Sequence, residues 1–472
     1  MPYRGLGERS IEEYVQIASQ TSDKIIKNLT RESIYDPNII SALSVVSDTI
    51  KNKKSVVYGG TALNAVLPER LQFYDPEYDL PDWDFFCSDP IKIALDIADK
   101  VYELTGEETS VTTAAHEGTY KVFTAGEAIA DITYVPEDVL NILRETSIVI
   151  DKIHYAGPNY LRMAAYMELS RPLGQPDRWE KVIRRISLLN IAYPIESPKH
   201  KGDFKGDTSS VLNERKNLIA ELVSKQNTTT IRENGEGDIF AFVGPEVFSV
   251  IRSITYKRGT TKIKPSQNPT GIMLMSPNIH KTAKLVSSLC KDAVIDTLSE
   301  TGEILGEQVI IYSGKKEPGR ELCTIIETRD ACQGVYTVKV RSEKKIEKIR
   351  IGSIESMLYI YSSLTLSKHS LSLDESQILR AIDSLIRLHI TILKRQKKPL
   401  LPFTDECIGK QTTIKDMRSD KKSRIKKIIT QKGKTNAKYF RLNLRYDAGD
   451  KNLRSIILNA LEREAKKLAK NK

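Results

Sequence analysis

Tyr58-Gly59-Gly60-Thr61-Ala62-Leu63-Asn64, followed by Asp82-Trp83-Asp84-Phe85-Phe86, is the stretch on which the fold turns. Ser55-Val56-Val57-Tyr58 is an apolar run that reads as a buried strand. Thr61 to Leu71 reads as a helix with Leu63, Ala65 and Leu67 inside. A strand that stops at Gly-Gly and turns into a helix exposes backbone N–H groups, and the helix dipole favours negative charge there. Asp82 and Asp84, one residue apart on the next strand, point to one face because strand side chains alternate. Such a pair supplies the oxygen ligands that a hard cation requires. Either motif alone is commonly a tight turn or a solvated strand edge. Their order, with a gap of roughly 20 residues that accommodates one helix and a return to an adjacent strand, joins them into one unit.

A third carboxylate is then expected on a neighbouring strand. Gly118-Thr119-Tyr120-Lys121-Val122-Phe123-Thr124 and Ala128-Ile129-Ala130-Asp131-Ile132-Thr133-Tyr134 read as a hairpin around Gly126-Glu127. Asp131 lies among small and apolar residues, where a buried carboxylate is costly without a cation or partner. A phosphate cradle beside a carboxylate cation site is the minimum equipment for nucleotidyl transfer.

These residues resemble the DNA polymerase β-like nucleotidyltransferase superfamily, with its Gly-Gly-Ser/Thr, Asp-x-Asp and distal Asp. Asn159-Tyr160-Leu161-Arg162-Met163-Ala164-Ala165-Tyr166-Met167-Glu168-Leu169-Ser170-Arg171-Pro172 follows, and then Asp177-Arg178-Trp179-Glu180-Lys181-Val182 and Arg184-Arg185. With these strings the chain is similar to the poly(A) polymerase catalytic subunits of large cytoplasmic DNA viruses (poxviruses, asfarviruses and giant viruses), over residues 40 to 195. Thr61 stands where the superfamily more often has Ser, and either hydroxyl can donate to a phosphate oxygen. The resemblance implies an α+β fold with a polymerase β-like catalytic core. It implies AMP addition from ATP to an RNA 3′ end without a template, by two-metal chemistry. Asp82, Asp84 and Asp131 would hold Mg²⁺ or Mn²⁺; Gly59, Gly60 and Thr61 would hold the triphosphate; Lys181 would add a charge to it. Trp83 and Phe85 face the core on this reading. A homodimer or a separate processivity subunit is left open by the resemblance, and a place in the host cytoplasm or virion is expected from it together with the cysteine usage.

Composition agrees with a soluble globular enzyme: 40% of the 472 residues are apolar and 28% charged, so disorder is excluded. No stretch approaches a membrane span, and the N-terminus lacks the apolar core of a signal peptide. The five cysteines (Cys87, Cys290, Cys323, Cys332 and Cys407) are scattered and odd in number, which reads as reduced thiols in a cytosolic compartment. His116 and His154 lie near the motifs but read as structural.

The net charge of +11 is concentrated at one end: residues 391–472 carry 24 Lys+Arg against 8 Asp+Glu. Tyr439, Phe440 and Tyr446 interrupt this basic stretch beside Lys438, Arg441 and Arg445. Basic residues beside aromatics suit single-stranded nucleic acid, held by phosphate contacts and base stacking. The bland alternative is a solvated helix face and a frayed tail.

The breaks predict an N-terminal helical arm over 1–35 packing on the rest, a nucleotidyltransferase core over 36–150, and a helical segment over 151–195 completing the nucleotide site. A linker or mobile loop over 196–235 leads to a second α+β domain over 236–390, with a largely antiparallel sheet over 306–351, and a basic region over 391–472. A faint echo links the halves. Asp151-Lys152-Ile153-His154 enters the helix from Leu161 to Leu169, and Glu347-Lys348-Ile349-Arg350 enters a helix from Glu355 to Leu364. The second domain thus reads as a degenerate copy without the Gly-Gly turn or the Asp-x-Asp. Two other classes stay open: another template-independent transferase (uridylyl or small-acceptor type), and a non-catalytic RNA-binding or processivity subunit.

Overall fold

The computed structural model describes residues 8–75, 79–195, 209–228, 240–255, 262–263, 271–300, 304–316, 320–329, 331–342, 345–367, 375–395 and 403–470. They form two compact units, the first made of residues up to Ala156 together with Met417 onward, the second of Gly157–Asp416.

The first unit opens with α1 (Glu8–Ile34), whose residues 11–26 are all exposed. The arm is therefore helical as expected, yet residues 11–26 are not packed: Ile11, Tyr14 and Ile17 stay in solvent. Asp36 caps α2 (Pro37–Lys53) by accepting from the Asn38 N–H, and Ile39, Ala42, Val46 and Ile50 bury one face. β1 (Val56–Val57) leads into α3 (Gly59–Val66), which ends before Leu67, earlier than the sequence suggests. β2 (Asp84–Cys87) precedes α4 (Pro90–Thr105), which starts at a proline and stops at Gly106 in the left-handed region.

The hairpin reads as expected: β4 (Thr119–Thr124) and β5 (Glu127–Tyr134) turn at Ala125-Gly126, with β3 (Thr109–Thr113) outside β4. After α5 (Glu137–Glu145), β6 (Ile148–Ile150) and β7 (Ile153–Tyr155) close the row.

The second unit opens with α6 (Pro158–Leu169), α7 (Trp179–Ala192) and α8 (Ser209–Thr228). The expected linker over 196–235 is thus a 20-residue helix in its middle, burying Val211, Leu218, Ile219, Leu222 and Val223; residues 196–208 and 229–235 lie outside the described residues. Then come β8 (Ala241–Phe242), α9 (Phe248–Thr255), β9 (Ile272–Ser276), α10 (Ile279–Ser288), β10 (Ala293–Leu298), β11 (Gln308–Ser313) and β12 (Glu321–Glu327). β13 (Gln333–Ser342), β14 (Lys345–Gly352), α11 (Ile354–Leu364), α12 (Glu375–Arg395) and β15 (Cys407–Ile408) complete it. The helix α13 (Ile414–Lys432) starts in this unit and from Met417 belongs to the first.

The chain then returns to the first sheet. α14 (Ala437–Leu442) precedes β16 (Arg445–Asp447), which pairs with β3 at the edge, and α15 (Lys451–Lys470) follows. The last helix is clamped to α4. Arg454 reaches Asp96 at 2.5 Å and Asp99 at 2.6 Å, and the Tyr446 hydroxyl donates to Asp99.

The two sheets have one topology. The first runs β16-β3-β4-β5-β2-β1-β7-β6, and the second β10-β11-β12-β9-β8-β14-β13-β15. With the edge strands β16 and β15 set aside, β1 to β7 map in order onto β8 to β14. Every pairing keeps its sense, including the parallel pairs β2/β5 with β9/β12 and β1/β7 with β8/β14. The second sheet is largely antiparallel as expected, with two parallel pairings, β9/β12 and β8/β14. Helices follow suit: α3 and α9, α4 and α10, and α6 and α11 occupy equivalent places in the order. The degenerate copy read from two strand–helix echoes is present across the whole sheet.

The register fixes which residues correspond. Val57 pairs with Phe85 as Phe242 pairs with Leu274, and Tyr58 N–H donates to Asp84 O as Val243 N–H donates to Met273 O. Gly59 thus matches Gly244, Asp84 matches Met273, Asp131 matches Thr324 and Lys121 matches Ile310. At Gly244 a Cβ would lie 2.2 Å from Glu246 Oε2, and Glu246 Oε1 accepts the Met273 N–H. In the second copy a buried glutamate of its own chain fills the turn.

Burial pushes Glu246 up to about 7 and Glu355 up to about 8. Glu355 lies 3.9 Å from His389, which burial pushes down to about 4 and which stays neutral near pH 7. A carboxyl raised on folding stabilises fully below its unfolded pKa, and that stability is lost as pH climbs to the folded value. Wild-type stability should therefore fall between pH 6.5 and 8. Glu355→Gln should gain on wild type across that interval in chemical denaturation, by roughly 1–2 kcal/mol. A variant that tracks wild type at both pH values contradicts this.

One cysteine expectation is corrected. Cys332 and Cys407 form a disulfide, because β13 pairs with β15 through Gly334 and Cys407 and brings the Cα atoms to 5.3 Å. A separation of 75 residues hides this in the sequence. Cys87, Cys290 and Cys323 are free thiols, and burial raises the pKa of each.

Candidate active site

The sheet face opposite the core carries the candidate residues. Phe85 and Ile132 are fully buried and Tyr120 is 2% exposed, so these residues point inward. Their neighbours Asp84, Asp131 and Lys121 therefore share the other face. Asp84 is the parallel register partner of Asp131, and Asp131 is the antiparallel partner of Lys121. The three stand in one row across β2, β5 and β4. Lys121 Nζ forms an ion pair and hydrogen bond with Asp131 Oδ2. Two residues along, Thr119 and Thr133 share a hydrogen bond of 3.0 Å, and the Tyr58 hydroxyl meets Thr133 at 2.9 Å. The Tyr58 ring stacks on Phe86 with centroids 3.9 Å apart. Tyr58 thus bolts the end of β1 to the same face.

The Gly-Gly turn is built around Asp84. Gly59 has φ +72°, and a Cβ there would lie 2.5 Å from Asp84 Oδ2. Both the conformation and the close approach require glycine. Thr61 Oγ1 donates to the Asp82 carbonyl at 2.7 Å, tying α3 to the turn before β2. Asn64 Oδ1 accepts from the N–H groups of Phe73 and Tyr74, holding the loop that returns towards Asp82.

Asp82 departs from expectation. β2 begins at Asp84, and Asp84 N–H donates to Asp82 O at 3.0 Å, so the backbone turns instead of extending between the two. The alternation rule covers Asp84 and not Asp82, which sits exposed on the turn. Among the described residues no three His, Cys, Asp or Glu side chains are gathered as a metal-ligating group. Trp83 and Phe85 are buried as expected. Lys181 lies exposed on α7 of the second unit. Its charge reaches Glu168, a carboxyl that burial raises and Arg178 lowers. His154 shares a hydrogen bond with Ser147 and its pKa is lowered by burial, a structural role.

Lys121 is the residue the sequence reading passed over. The signal was there: in Tyr120-Lys121-Val122 the apolar neighbours mark the core face and leave Lys121 on the side of Asp131.

Residues 44–175 match the family described as poly(A) polymerase catalytic subunit. The matched segment includes Gly59, Asp84, Lys121 and Asp131. A protein of Acanthamoeba polyphaga mimivirus assigned as a poly(A) polymerase catalytic subunit is 28% identical over 243 residues, 50% of this chain and 40% of that one. Its counterpart in African swine fever virus (strain Badajoz 1971 Vero-adapted) is 27% identical over 179 residues, 37% of each chain. The chain thus spans about two fifths of the length of these curated relatives, 40% and 37%. The crystal structure of the Megavirus polyadenylate synthase superposes with a TM-score of 0.72 at 20% identity, covering 94% of this chain and 87% of that one. At that identity the likeness shows the α+β fold, and it extends over both copies.

Proposed function

We propose that this protein is a template-independent poly(A) polymerase, transferring AMP from ATP to the 3′-hydroxyl of RNA with release of pyrophosphate. One observation carries the proposal: the chain contains its own control. The second copy builds the same sheet with Met273, Thr324 and Ile310 where the first has Asp84, Asp131 and Lys121. The fold therefore does not need these charges, and two carboxylates side by side cost stability. Their presence on one copy alone is explained by chemistry.

The donor set fits a hard divalent cation: Asp84 and Asp131 offer carboxylate oxygens on one face, and the Lys121 ammonium already occupies a cationic position at Asp131. Asp82, on the adjoining turn, is the third proposed ligand. Mg²⁺ or Mn²⁺ held there would lower the pKa of the acceptor hydroxyl and neutralise charge on the phosphates. The N–H groups of Gly59 and Gly60 at the start of α3 would hold the triphosphate, joined by the Thr61 hydroxyl if it gives up its bond to the Asp82 carbonyl. Gly59 lets this turn close against Asp84, so cradle and carboxylate are positioned by one contact.

RNA as acceptor is favoured over a small molecule by α13. Its 19 residues include 8 Lys+Arg against 2 Asp, and none is buried. Lys421 donates to Ala114 O and Arg424 pairs with Glu117 at 2.7 Å, which fixes the helix to the β3–β4 turn. Lys422, Lys426 and Lys427 are exposed beyond these anchors. Replacing the three with Ala should weaken binding of single-stranded RNA and flatten the slope of log K against log salt by about 2, at ~0.7 per phosphate contact. An unchanged slope removes α13 from the RNA path.

Among the described residues no helix is long and apolar enough to cross a membrane. A cytoplasmic or virion setting, and a homodimer or processivity subunit, remain part of the proposal. Extension of a labelled RNA with Mg²⁺ and each nucleoside triphosphate separately tests the reading. Growth with ATP alone supports it; growth with UTP or all four moves the activity to another transferase of the same class.

A further inference from the structure

Asp84 and Asp131 stand side by side in register on adjacent parallel strands, and like charges so placed repel. Lys121 answers that repulsion from the third strand through its ion pair with Asp131. The pair is only partly shielded: the Lys121 side chain is 37% and that of Asp131 19% exposed. Its contact is with Asp131 Oδ2, one of the two oxygens that this carboxylate could offer a divalent cation. Ammonium and cation are thus rivals for one carboxylate. The second copy, with no carboxylate in either position, has Ile310 in place of the lysine.

We propose that Lys121 is a resident counterion of Asp131, which keeps the carboxylate row folded and neutralised until a divalent cation displaces it. It is a positioning residue acting through Asp131. No bond forms or breaks: the ammonium leaves the carboxylate still protonated, on a four-carbon stem that carries it along the sheet face towards anionic substrate. The proposal rests on the metal reading of Asp84 and Asp131.

Binding of Mn²⁺ to the nucleotide-free full chain by titration calorimetry, beside melting curves, tests it. Lys121→Met should lower the melting temperature without metal, bind Mn²⁺ about tenfold tighter (~1.4 kcal/mol), and show a larger Mn²⁺-induced rise in melting temperature. Lys121→Arg, which keeps the charge, should stay near wild type. In an Asp131→Asn background the Lys121→Met change should have no effect on Mn²⁺ affinity. A measurement on the wild-type chain covers the case in which Lys121→Met does not fold. Acylation of Lys121, mapped by mass spectrometry, should speed several-fold on saturation with Mn²⁺. Unchanged or weaker Mn²⁺ affinity in Lys121→Met, or acylation indifferent to Mn²⁺ while wild type binds the ion, overturns the counterion. If wild type binds no Mn²⁺ at all, the metal reading itself falls.

Discussion

Asp84→Met should lose nucleotide addition by roughly a thousandfold or more, equivalent to about 4 kcal/mol of transition-state stabilisation, while the protein stays folded. Methionine is the residue the second copy uses at this place, as Met273, on a strand of the same pairing and register. The substitution therefore asks the first sheet to accept what the second already accepts. Removing one of two adjacent carboxylates also relieves repulsion, so the melting temperature should hold or rise. Loss of activity with retained stability separates a chemical role from a structural one. A variant that keeps more than about a tenth of wild-type activity would remove Asp84 from the chemistry.

Gly59→Ala should damage both stability and activity. A non-glycine residue at φ +72° costs about 1–2 kcal/mol. The added methyl would also meet Asp84 Oδ2 at 2.5 Å and force the carboxylate or the turn to move. A displacement of this size at a reacting centre costs on the order of a hundredfold in rate. Gly60 is not among the left-handed glycines, so Gly60→Ala should cost less stability. Denaturation midpoints for the two variants, beside incorporation rates, check the ordering. Equal stability losses would mean that the contact with Asp84 is not what selects glycine at position 59.

Much of the first copy was legible because its signals are local. A strand ending in Gly-Gly, a helix-length gap and a hairpin with one acid each follow from period and turn chemistry. Asp82 was misplaced because alternation assumes extended backbone, and the hydrogen bond from Asp84 N–H to Asp82 O breaks that assumption. The face that Lys121 takes is legible in Tyr120-Lys121-Val122, but its pairing with Asp131 depends on a cross-strand register that a single strand does not display. α8 was hidden by the polar stretch before it, although Leu218, Ile219, Leu222 and Val223 carry a helical period. The disulfide depends on β13 meeting β15 across a long excursion of chain.

The second copy was visible only as two strand–helix echoes, since its topology survives where its side chains do not. Gly244 keeps the turn, but Glu246 fills it and Met273 and Thr324 replace the acids. The motif that identified the first copy is the part the second has lost. What the sequence could not show, and the register does, is that the same scaffold occurs with and without the charged row.

The most direct test is extension of a 5′-labelled, oligo(A)-ended RNA by the purified full chain with Mg²⁺ and ATP, run beside Asp84→Met. A ladder of added nucleotides with ATP, absent with the other nucleoside triphosphates and absent in the variant, is the expected result. A ladder of equal strength from Asp84→Met would contradict the assignment of catalysis to the carboxylate row of the first copy.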